Sequence, residues 1–165
     1  MLAAGLFVAS AASAVNANPV SAEAIERQFR SGERVLALKQ LEQALALRPR
    51  DAGLRFLQTV MLTETGRTAE AGQLLERLTE DYPELPEPYN NLAVLQAAEG
   101  QLDRAHSLLV TALRLDPGYR TAQQNLGDVL LRLAQRAYEA AAVGVPAEPS
   151  LQGKLRQLRE LTGVR

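Results

Sequence analysis

The chain has 165 residues, 47% of them hydrophobic and 22% charged, with a formal net charge of −1. That is enough apolar sequence for one small core, and it leaves no clustered basic face to hold nucleic acid. Aromatic residues make up 4% and tryptophan is absent, which leaves base-stacking platforms little to work with, and the absence of cysteine excludes disulfides, thiolate catalysis and cysteine-ligated zinc.

Residues 1–17 differ from everything that follows: they carry no charge, with an apolar run from Leu2 to Val8 and small residues through Ala17. Val15-Asn16-Ala17 places small residues where a signal peptidase requires them, so cleavage would leave a chain starting at Asn18. Ala12-Ser13-Ala14 is a second such site, and no Lys or Arg follows Met1. The segment reads as a signal peptide or N-terminal leader, with a simple N-terminal tail as the alternative. It falls short of the roughly 20 strongly apolar residues of a lasting membrane span. The expectation is a periplasmic or secreted protein of a Gram-negative bacterium if the leader is removed, and a cytoplasmic one otherwise, with no stable span in the mature chain.

From residue 18 the sequence repeats with a period of 34: Gly32, Gly66 and Gly100; Ala37, Ala71 and Ala105; Leu41, Leu75 and Leu109; Pro49, Pro83 and Pro117. Four units follow, at about 18–51, 52–85, 86–119 and 120–146. The third carries the fullest pattern, with Tyr89, Leu92-Ala93, Gly100, Ala105, Leu109, Ala112 and Pro117. Small residues suit a close helix crossing, Gly100 suits a left-handed turn, and Pro117 stops the second helix.

These residues resemble the tetratricopeptide repeat (TPR) family, whose units are 34-residue helix–turn–helix pairs. The resemblance implies an all-α, right-handed solenoid of antiparallel helix pairs. The first unit has a good second helix, Arg34 to Leu47, but Ala24, Ile25 and Gln28 where Leu, Gly and Tyr are usual. The second has Gln58-Thr59 at the Leu-Gly pair and Leu62 in the tyrosine place. The fourth starts with Leu126-Gly127 and Leu130 but has no turn glycine, and Tyr138, Ala141 and Pro146 arrive five residues early. A deleted turn predicts one long helix from Arg120 to about Val143. Val145 to Ser150 reads as a loop. Residues 147–165 read as a C-terminal capping helix with a stripe of Leu151, Leu155, Leu158 and Leu161, since a solenoid needs a closing element; a homodimer or docking surface is the alternative use of that stripe.

In the family the first helices line a concave wall. Its ligand-facing positions correspond here to Glu26 and Phe29; Phe56, Val60 and Thr63; Glu87, Asn90, Asn91, Val94, Ala97 and Ala98; and Thr121, Gln124, Asn125 and Asp128. Asn91 and Asn125 match one repeat apart, the spacing at which peptide-binding TPR proteins stack asparagines against a peptide backbone. A side-chain amide both donates and accepts, so it can meet any peptide unit; the alternative is Asn tolerated on a solvated helix face. Glu23 and Leu57 occupy the same place in the first two units. No lysine stands at the fifth or ninth positions, which argues against the clamp that grips chaperone C-termini. His106 is the only histidine, and Glu80, Asp81, Glu84 and Glu87 are interrupted by Pro83 and Pro86; neither makes a metal or catalytic site. The expectation is a non-catalytic scaffold for a protein or peptide partner, with no cofactor, no metal and no nucleic acid; a homo-oligomer and an accessory subunit of an enzyme complex are the alternatives.

Overall fold

A computed structural model describes residues 20–143 and 148–163. The leader, the start of the first unit and Pro146 lie outside these residues. Among the described residues are eight helices and no strands: α1 (Ala22–Arg30), α2 (Arg34–Leu47), α3 (Ala52–Glu64), α4 (Thr68–Asp81), α5 (Pro86–Ala98), α6 (Leu102–Leu115), α7 (Arg120–Ala141) and α8 (Pro149–Thr162). None is long and apolar enough to cross a membrane.

Local chemistry sets where these helices begin and end. Ser21 and Asp51 accept from backbone N–H groups one turn ahead, Ala24 at 3.3 Å and Leu54 at 3.1 Å, and so cap α1 and α3. Pro86 and Pro88 fall in the first turn of α5, where an N–H would have no helical partner anyway. Gly32, Gly66 and Gly100 turn the chain between the helices of a pair at φ 97°, 79° and 81°, a region that penalises a Cβ.

The helices pack as α1/α2, α3/α4 and α5/α6, each second helix against the first helix of the next unit. Adjacent first helices also touch, α1 with α3 and α5 with α7. Ala37, Ala71, Ala93, Ala105, Ala112 and Ala122 are fully buried, letting backbones approach where the helices cross. Thr59 holds the same position as Ala93 and is equally buried; its hydroxyl donates 2.7 Å to the Phe56 carbonyl, so the polar atom is satisfied. The core runs in three overlapping clusters, each joining one unit to the first helix of the next: Phe29, Leu41 and Leu57; Leu62, Leu75 and Leu92; Ala93, Leu109 and Val129.

The fourth unit is a single 22-residue helix, α7. The C-terminal half of α7 packs antiparallel on α8: Thr162 donates to Gln135 at 2.8 Å, Arg159 approaches Glu139 at 3.6 Å, and Lys154 lies over the Tyr138 ring. Two expectations need correction. α8 starts at Pro149, so Pro149 and Ser150 belong to the helix and not to the loop, because proline is tolerated at the first helical position. The leucine stripe is only partly covered. Leu155 and Leu158 are buried against α7, but Leu161 is 68% exposed, since Thr162, bonded to Gln135, takes the next place on the face toward α7.

Candidate functional site

The first helices of units two to four leave two cavities on one wall. The first, about 190 Å³, lies between α3 and α5 and is lined by Val60, Thr63, Glu64, Asn91, Val94 and Leu95. The second, about 240 Å³, lies between α5 and α7 and is lined in part by Val94, Ala97, Ala98, Asn125, Asp128 and Val129. Each residue of the second set stands 34 positions after its counterpart in the first, so the cavities are the same element of architecture repeated once. Val94, 45% exposed, forms the ridge between them.

The two asparagines are joined beneath the wall. Asn125 Nδ2 donates to Asn90 Oδ1 at 2.8 Å, and Asn90 Nδ2 donates to Asn91 Oδ1 at 3.1 Å. This relay fixes which end of each outer amide is committed. Among the described residues Asn91 Nδ2 and Asn125 Oδ1 make no hydrogen bond, and neither atom is sealed from solvent. The wall therefore offers one donor at the first cavity and one acceptor at the second. Arg132, at the rim of the second cavity, donates 2.8 Å to the Ala97 carbonyl in the last turn of α5. It supplies both a partner and a positive charge to that helix C-terminus. Glu64 and Asp128 carry no ion pair or hydrogen bond among the described residues, so each cavity has a free carboxylate at its edge.

The residues expected on the concave wall divide into groups. Val60, Asn91, Val94, Asn125 and Asp128 meet in the two cavities. Asn90 does not face a ligand. It is 2% exposed and serves as the buried link of the relay, because the turn of α5 that presents Asn91 directs its neighbour toward α7. Phe29 belongs to the core, 3% exposed among Leu54, Leu57 and Met61, because its ring fills the gap between α1 and α3. Phe56 is half-buried against the cluster of Leu62, Leu75 and Leu92. Glu87 and Gln124 are exposed and line neither cavity; Glu87 acts at a distance, joining burial and Asp116 in raising the Tyr119 hydroxyl above its usual range, with burial the largest cause. Leu95, Val129 and Arg132 escaped the sequence reading. The first two were detectable as an apolar pair 34 apart, whereas nothing in the sequence announces the contact of Arg132.

A family model described as tetratricopeptide repeat matches residues 23–86 and 90–145. Among curated proteins, the TPR repeat-containing thioredoxin TTL4 of Arabidopsis thaliana is 33% identical over 96 residues, covering 58% of this chain and 14% of that protein. The chain thus spans a small part of that relative. Among solved structures, Naa15/Naa10 bound to HypK-THB superposes with a TM-score of 0.59 at 18% identity, over 86% of this chain and 22% of the other. Two MamA structures superpose with TM-scores of 0.55 at 20% identity, over 86% of this chain and 80% and 84% of theirs. At such identities the superpositions establish a common fold alone.

Proposed function

The chain belongs to the tetratricopeptide repeat family, and on that premise we propose that it is a non-catalytic scaffold that holds an extended segment of a partner protein on the wall formed by α3, α5 and α7. The observation that carries this reading is the pair of repeat-related cavities, each with an accessible asparagine at its edge. A preformed wall loses little ordering entropy when several weak contacts form at once. The polar groups of the wall suit binding: two half-committed amides, two carboxylates and a guanidinium already engaged with a carbonyl. The fold is also found in a structure named for Naa15/Naa10 bound to HypK-THB, an assembly of proteins.

The workplace we propose is the bacterial envelope, on the strength of the uncharged residues 1–17 and the Val15-Asn16-Ala17 site. N-terminal sequencing of the mature protein is expected to begin at Asn18; a protein retaining Met1 removes that part of the reading.

A second reading, self-assembly, is favoured by α2, which leaves Val35 83% and Leu47 73% exposed on its outer side. One experiment separates the two. A photo-crosslinking amino acid is placed at Val94 or at Val35, and the adducts formed in intact cells are identified by mass spectrometry. The scaffold reading expects a partner protein from Val94, lost in the Asn91→Ala/Asn125→Ala variant. Capture of a second copy of the chain from Val35, with nothing from Val94, replaces it by self-assembly.

A further inference from the structure

Resting on the scaffold reading, we infer that the segment held on this wall carries two apolar side chains three residues apart in an extended, polyproline-like conformation, with a Lys or Arg flanking them. The two cavities lie on either side of a single helix, α5, and share the ridge residue Val94. α5 and α7 are in direct contact, through Asn125 to Asn90 and Arg132 to Ala97. Where first helices pack directly, as α5 and α7 do, the step from one to the next is about 8–10 Å, and we take that step as the spacing of the two cavities.

That step selects a conformation. In a β-strand, residues on one face recur every second position, about 7 Å apart. In polyproline II the same face recurs every third residue, about 9 Å apart, with every backbone N–H and C=O left unpaired. Only the second matches the wall, and its free backbone can accept from Asn91 Nδ2 and donate to Asn125 Oδ1. Because amide contacts to a backbone read no side chain, selection falls to the cavities. Their apolar linings, Val60, Val94 and Leu95 in one and Val94, Ala98 and Val129 in the other, favour aliphatic groups. The carboxylates of Glu64 and Asp128, unpaired among the described residues, sit one at each cavity, and the guanidinium that lines the second cavity, that of Arg132, is bonded to a carbonyl. A cationic side chain beside either apolar group therefore meets a complementary charge.

The test uses the full chain and three synthetic peptides: acetyl-Lys-Val-Ser-Ser-Val-Lys-amide and versions whose valines stand two or four residues apart. Binding is followed by amide chemical shifts in two-dimensional NMR, with dissociation constants from titration. The expected result is shifts at Asn91, Val94 and Asn125, with the three-residue spacing bound about tenfold more tightly than either alternative, as one apolar side chain lost from a pocket warrants. Ala98→Trp, which fills the exposed rim of the second cavity, is expected to make the three peptides equal. If all spacings shift these residues with equal affinity, or another spacing wins, the inference falls and the scaffold reading stands. If none of the peptides shifts α3, α5 or α7, the scaffold reading falls and takes the inference with it.

Discussion

Asp103 and Arg136 are both largely exposed, at 76% and 54%, yet they join α6 to α7 through two hydrogen bonds of 2.8 and 2.9 Å. The bidentate guanidinium, first through its hydrogen bonds and then through its charge, holds the Asp103 carboxyl below its ordinary value of 3.8. A carboxylate whose folded pKa is lowered stabilises the fold above the unfolded value. That contribution disappears as pH falls through the folded value. Asp103→Asn is therefore expected to be less stable than the wild type at neutral pH, with the two unfolding curves converging below pH 3.8. The gap is expected to shrink in molar salt, since exposed pairs are screened. A gap that persists in acid would assign the effect to packing. At this scale the sequence is half legible. Asn91 and Asn125 can be found by the repeat period, but the role of Asn90 cannot. Its buried amide matters through a helix 35 residues further on, and no local pattern encodes that pairing.

Glycine shows how the loss of a single turn changes an element. In unit three Ala93 is fully buried where a second helix crosses. Gly127 stands at the matching place of unit four, but a Cβ added there meets nothing within 4 Å. Without the turn glycine the chain continues as α7, so no second helix crosses at that point, and the smallness expected of Gly127 has lost its purpose. Gly127→Ala is expected to raise stability by about 0.5–1 kcal/mol, the helix-interior cost of glycine. Gly100 also has open space around it but turns the chain at φ 81°. There, Gly100→Ala is expected to lower stability by about 1–2 kcal/mol, from backbone strain alone. Chemical denaturation of both variants checks the opposite signs. The missing glycine made the long helix readable in advance, because a helix continues where nothing stops it. The sequence does not announce the start of α8, because proline halts a helix when it lies within one but opens a helix when it stands first, as Pro149 does.

The whole molecule is a line of neighbours in which each unit touches the next and little beyond. The repeat period made this layout legible, since 34-residue spacing dictates stacked helix pairs. The evenness of the stacking was not legible, because it depends on how bulky residues settle in three dimensions. The side of α2 that faces α3 and α4 stands off from them, leaving a cleft of about 570 Å³ lined by residues such as Leu38, Leu45, Met61 and Leu62. The corresponding joints further along, α4 with α5 and α6 with α7, pack more extensively than α2 with α3. Under tension this uneven chain behaves as springs of different stiffness in series. All links bear the same force, and the weakest yields first. Pulled between Val20 and Gly163 in an optical trap, unit one is expected to detach in an early, low-force step. Units three and four should follow at higher force as one, held by Asp103–Arg136 and the shared core of Ala93, Leu109 and Val129. A single rip of the whole chain would show that the cleft does not weaken the joint. If the order holds, a load applied at its ends would slacken unit one before it disturbed the paired cavities.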